Sequence, residues 1–135
     1  MGGNLDIGAG TTLAIGGNFT FSVGGTTTVA GTFTVAGTNS KTFTGDVTIN
    51  NGGLWNETGV GAINFAGNLQ NDGTLTANTG THVFSGAGKT FSGTSTISIP
   101  NASISGSYTN NGTLTVSTAI GAPQRRQGFM TGPQP

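Results

Sequence analysis

No Cys occurs among the 135 residues, which excludes disulfides, thiolate metal sites and thiol nucleophiles together. Charge is nearly absent as well, at 6% of positions and a formal net of zero. Apart from Arg125 and Arg126 near the end, residues 1–121 hold only Lys41 and Lys89 against Asp6, Asp46, Glu57 and Asp72. Nucleic-acid binding needs a basic stripe to neutralise phosphates, and none is present. Strong helix formers such as Glu, Lys, Gln and Arg are scarce while Gly recurs throughout, so helix is excluded. No run approaches the ~18 apolar residues of a membrane helix. The start, Met1-Gly2-Gly3-Asn4-Leu5-Asp6, lacks the basic and apolar regions of a signal peptide. A secreted protein would therefore be present here as a mature form or an excised fragment. So little charge leaves no material for a conventional catalytic site, and the expectation is of no enzyme, no cofactor and no metal.

Gly, Thr, Asn and Ser fill 26, 25, 13 and 10 positions, more than half of the chain. Leu, Ile, Val and Phe fill 29, near the level at which composition alone suggests disorder, but the high net charge of disordered chains is missing. The sparse apolar residues recur with period two in short bursts: Phe19 to Val23, Thr32 to Val35, Asp46 to Ile49, Ala62 to Phe65, Thr96 to Ile99 and Thr113 to Val116. Each reads as a short strand with its apolar side chains inward and Thr or Ser outward. Asn51-Gly52, Asp72-Gly73 and Asn111-Gly112 mark sharp turns between them, where positive φ is tolerated.

Internal repeats argue against hairpins. Lys41 to Ile49 matches Lys89 to Ile97 at an offset of 48, Gly67 to Thr76 matches Gly106 to Thr115 at 39, and Gly17-Asn18-Phe19-Thr20 opens a similar unit 50 residues before Gly67. Such offsets fit about two coils of roughly 20 to 25 residues each. The fold class expected is all-β, a parallel β-solenoid (β-helix) of about five or six coils over residues 1–121, giving a rod roughly 25 to 30 Å long. A narrow interior takes one or two apolar side chains per strand, so a low apolar fraction still fills it.

Residues 122–135 break the pattern, with three of the four Pro and both Arg. This Pro, Gln and Arg tail is expected to clasp a neighbouring subunit, with Arg125, Arg126, Phe129 and Met130 as the inter-subunit contact.

The stretch Gly73 to Ser117, GTLTANTGTHVFSGAGKTFSGTSTISIPNASISGSYTNNGTLTVS, resembles the repetitive β-solenoid segments of large secreted bacterial surface proteins and adhesins. The resemblance extends more loosely back to Gly17. It implies an extracellular or cell-surface location and a structural or adhesive role, and it carries over no functional residue.

Other candidates weigh less. Gly86-Ala87-Gly88-Lys89-Thr90 resembles the end of a phosphate-binding loop, but Val83 stands where that motif needs Gly. His82, the single His, alternates with Phe84 and should point inward; Asp72, ten residues away, is the nearest acid in sequence. The four acids read as lying in separate coils, unlike the paired carboxylates of a glycosidase. Sequons at Asn18, Asn56, Asn101 and Asn111 are what so much Ser and Thr yields by chance. Either Leu54 or Trp55 must face outward, so Trp55, like Tyr108, is a candidate for stacking on surface glycans. Thr26/Thr28, Thr32/Thr34, Thr42/Thr44, Thr74/Thr76, Thr94/Thr96 and Thr113/Thr115 read as outward Thr ladders, the feature of an ice-binding solenoid.

With no amphipathic capping helix and little charge to blunt the end edges, the sharpest expectation is head-to-tail self-assembly into a fibre, the partner being the chain itself. A fragment of a cell-surface adhesin is the alternative, and an ice-binding module a further one.

Overall fold

Three apolar bursts per coil, each too short to be stable alone, make a stable sheet only by pairing with the equivalent burst of the next coil. The computed structural model describes residues 1–120 and has this arrangement. The first coil contains β1 (Leu5–Ile7), β2 (Thr12–Ile15) and β3 (Phe21–Val23); the second β4 (Thr27–Val29), β5 (Thr32–Val35) and β6 (Lys41–Phe43). The third has β7 (Val47–Ile49), β8 (Leu54–Glu57) and β9 (Ile63–Phe65), and the fourth β10 (Leu69–Asn71), β11 (Thr74–Thr76) and β12 (His82–Phe84). Next come β13 (Lys89–Ser92) and the longer β14 (Ile97–Ile104), then β15 (Tyr108–Asn110) and β16 (Leu114–Ile120). All pairings are parallel, and no helix occurs among the described residues. Face A stacks β1-β4-β7-β10-β13-β15, face B stacks β2-β5-β8-β11, and face C stacks β3-β6-β9-β12-β14-β16. The cross-section is therefore three-sided, and six strands deep on faces A and C.

Register gives the expected coil length over the first four coils and a shorter one at the end of the rod. Leu5 pairs with Thr27 and Val47 with Leu69, 22 residues on, Phe21 with Lys41 at 20, and Ile97 with Leu114 at 17. The internal repeats obey a finer rule than two coils. Lys41 lies on face C and Lys89 on face A, so an offset of 48 spans two coils and one further side. The offset of 39 returns to face A from β10 to β15 but carries β11 on face B to β16 on face C. The repeating unit in the sequence is one side of the prism, and all three sides use it.

Inward positions form six columns. The main apolar ones are Leu13–Phe33–Trp55–Leu75 on face B and Val23–Phe43–Phe65–Phe84–Ile104 on face C. Aromatic rings run from these columns on to face A without a gap: Phe33 and Phe43 each lie 4.9 Å from Trp55, Phe65 is 5.2 Å from Phe84, Phe84 is 4.9 Å from Phe91 on face A, and Phe91 is 4.8 Å from Tyr108. Burying apolar area gives ~25 cal/mol per Å², and well-placed ring pairs add ~0.5–1.5 kcal/mol each.

Of the three expected positive-φ turns, only Asn51-Gly52 is one, with Gly52 at φ 87°. Gly73 has ordinary φ and is required for space, because a Cβ there would collide with the carbonyl oxygens of Asn50 and Gly53 on the preceding coil. Corners stack as closely as strands do. Asn and Asp side chains bridge them: Asp46 Oδ1 accepts the Asn68 N–H and Asn68 Oδ1 the Thr90 N–H, both at 2.9 Å. Arg125, Arg126, Phe129 and Met130, expected to form an inter-subunit contact, lie outside the described residues.

Candidate functional site

The sequence candidates fall on different sides of the prism. Trp55 is inward and fully buried, and Leu54 takes the outward position, which corrects the expectation of an exposed indole. Inward placement follows from register, since Trp55 continues the column of Leu13 and Phe33. Tyr108 is half-buried; its hydroxyl donates to Gly67 O at 2.9 Å, and burial pushes its pKa up. Around Lys89 most N–H groups are engaged already: Gly86 N–H donates to the Tyr108 hydroxyl, Gly88 N–H to Ser107 Oγ, Lys89 N–H to Ser107 O and Thr90 N–H to Asn68 Oδ1.

The acids do not occupy four coils. Asp46 and Glu57 share the third, because β7 and β8 are consecutive sides of it. Three of the four have separate positions: Asp6 is on the outer surface of face A, while Asp46 and Asp72 accept corner N–H groups of the following coil. Hydrogen bonds from the Thr94 N–H and then the Gln70 amide hold the Asp72 carboxyl below its ordinary range.

Glu57 is different, and the sequence reading missed it. Its side chain and that of His82 are both fully buried, with His82 Nε2 2.6 Å from Glu57 Oε1. His82 points inward as expected, but its acid lies 25 residues back, one coil away, while Asp72 plays no part. Glu57 Oε2 accepts Trp55 Nε1–H at 2.7 Å and Oε1 the Asn78 backbone N–H at 2.9 Å. The signal was available in the alternation of Trp55-Asn56-Glu57, which sets Trp55 and Glu57 on one side of a strand. Lys41 is a second surprise, also inward and 1% exposed. Its stem lies in the column of Phe21 and Ile63, and its ammonium reaches the corner, donating to Asn39 O at 2.7 Å and Phe19 O at 3.1 Å.

Two surfaces remain. The first is the pair of ends. At one, Leu5, Leu13 and Phe21 of the first coil are only partly buried, and at the other so are Tyr108, Leu114 and Val116. At the first end β1 and β2 have no strand outside them among the described residues, while Met1–Gly3 runs beside β3, with Gly24 N–H donating to Met1 O at 2.7 Å. The second is the outer surface of face B, where Thr12–Thr32–Leu54–Thr74 and Ala14–Thr34–Asn56–Thr76 form two uncharged columns. Of the expected Thr ladders, Thr32/Thr34 and Thr74/Thr76 belong to this four-stranded sheet. Thr26 and Thr44 sit at corners instead, outside any strand.

These features define a three-sided parallel β-solenoid with apolar inward columns that extend to its terminal coils. Compared with family models, curated proteins and solved structures, the chain matches none of them.

Proposed function

We propose that the chain is a non-catalytic structural element of an extracellular surface, a rod that joins end to end with further copies of itself into a fibre. The observation that carries this reading is the state of the ends. A solenoid that remains a monomer needs polar caps over its terminal coils. Among the described residues, Leu5 and Leu13 meet no such cap and only Met1–Gly3 lies beside the strand of Phe21, and a last coil placed against β1 and β2 would continue both the apolar columns and the backbone ladder there. The contact is heterologous, so it propagates without closing. The resemblance of Gly73 to Ser117 to secreted surface proteins supports the extracellular location. It fits an adhesin segment too, in which further coils of one long polypeptide take the place of the next copy.

Electron microscopy and sedimentation of the purified chain, with and without residues 122–135, decide the matter. Fibres that shorten or vanish on introducing Leu13→Lys and Phe21→Lys are expected. A compact monomer with and without the tail overturns the proposal. Face B favours a second reading, as a surface that orders water for ice binding, because its two uncharged columns set Thr32/Thr34 and Thr74/Thr76 at ~6.7 Å along their strands, with Thr12 ~4.8 Å from Thr32 on the neighbouring coil. Thermal hysteresis that disappears with Thr34→Lys would support it; no hysteresis in the unmodified chain removes it.

A further inference from the structure

Glu57 stands on face B of the third coil and His82 on face C of the fourth, both enclosed. His82 Nδ1 lies 2.9 Å from Gly80 O. A carbonyl oxygen only accepts, so this nitrogen carries a proton. His82 Nε2 faces Glu57 Oε1, and the same carboxyl group collects N–H groups from Trp55 and Asn78. Three nitrogens converging on two oxygens fit a carboxylate that accepts throughout, which leaves Nε2 to donate as well. We propose that His82 is an imidazolium in the folded rod and that its proton clamps the third coil to the fourth, making the middle of the solenoid a pH-sensitive joint that weakens under alkaline conditions.

The surrounding elements leave this pair to itself. β9, β11 and β14 carry no titratable side chain, and β8 carries only Glu57. The other inward charge, Lys41, lies two strands back in the same column and directs its ammonium to the carbonyls of Asn39 and Phe19. Burial alone would lower the His82 pKa; the hydrogen bond to Glu57, its negative charge and the backbone of Gly80 and Asn101 outweigh burial and raise it above 6.5. A raised folded pKa sets the sign. The stabilisation is complete below the unfolded pKa of about 6.5 and is lost as pH rises through the folded value, by up to about tenfold in the folded-to-unfolded ratio per pH unit across that window. The backbone ladders join each coil only to its neighbours, so the loss is local to the joint.

His82 and Trp55 are the only residues of their kinds, so each gives an unambiguous NMR signal in the unmodified protein. The experiment follows the ring nitrogens of His82, the indole N–H of Trp55, exchange of the Asn78 amide and the urea midpoint from about pH 6 to about pH 9. It is run at a dilution where copies do not associate, so its outcome is separate from that of the fibre. Expected are two protonated ring nitrogens at neutral pH, a urea midpoint that falls with alkalinity, and an Asn78 amide that loses protection before that of Val29 in the second coil. In Glu57→Gln the ring is neutral at pH 7 and the alkaline loss disappears; if that variant does not fold, the measurements on the unmodified chain still decide. A neutral ring at neutral pH, a flat urea midpoint, or exchange at Asn78 no earlier than at Val29 overturns the proposal.

Discussion

The interior of the third coil holds two kinds of packing that meet in one side chain. On one side the Trp55 ring joins the aromatic column, edge-on to Phe33 and Phe43. On the other its Nε1–H points at Glu57, and from there a polar network crosses to His82 and Asn78 in the fourth coil. The aromatic side asks only for shape and dryness, because hydrophobic attraction has no direction. The polar side is a sequence of obligations. A buried indole N–H needs an acceptor; the carboxylate that accepts it brings a charge that must be compensated; the imidazole that compensates it needs an acceptor for its second nitrogen, which Gly80 O supplies. Lys41 meets the same requirement more simply, by carrying its charge out to a corner where two carbonyls wait. Apart from the Thr27 hydroxyl, the inward polar side chains of the second to fourth coils find partners, and this network spans two coils because one coil cannot supply them all.

The sharpest way to break the comparison is to remove the acceptor. Glu57→Leu leaves His82 Nε2, the Trp55 N–H and the Asn78 N–H without a partner, and should cost ~5 kcal/mol, the top of the range for breaking a buried ion pair. Phe43→Ala, which removes a fully buried ring from the middle of the aromatic column, should cost ~4 kcal/mol through lost transfer energy and a cavity. Both are large against the ~5–15 kcal/mol that holds a domain together, and urea denaturation measures them. A second substitution then separates the mechanisms. Trp55→Phe added to Glu57→Leu removes one orphaned donor and should recover ~1–2 kcal/mol, while added to Phe43→Ala it should recover nothing. Recovery in both backgrounds would mean that the indole is held by packing alone.

The difference between the two kinds of packing also explains what could be read in advance. Alternation in Thr32-Phe33-Thr34-Val35 or Asp46-Val47-Thr48-Ile49 marks strands because an inward apolar and outward Thr pattern has one solution, and the near-repeats required parallel stacking. Which side of the prism each repeat belongs to was hidden, since β6 and β13 share Lys-Thr-Phe yet lie on faces C and A. That assignment depends on corner lengths that Gly and Asn absorb without a fixed signature. The polar network was hidden for the same reason: Glu57 and His82 become neighbours only through the register of successive coils. Lys41 carried no sign of its inward place, because its ammonium leaves the interior while its stem stays.

One polar atom breaks the rule that every inward donor is answered, and it supplies the smallest of the effects. Thr27 occupies the inward column between Leu5 and Val47 on face A, is 1% exposed, and its hydroxyl has no hydrogen-bond partner. A buried hydroxyl without a partner costs ~1–3 kcal/mol, and Val has the same shape with a methyl in its place. Thr27→Val should therefore stabilise the rod by ~1 kcal/mol, raising Tm by roughly 4 °C for a chain of this size. Thr28→Val, one residue on and facing outward, is the control and should change stability by less than ~0.5 kcal/mol. A loss of stability in Thr27→Val would mean that the hydroxyl is satisfied by a trapped water, and that this column obeys the same rule as the network around Glu57.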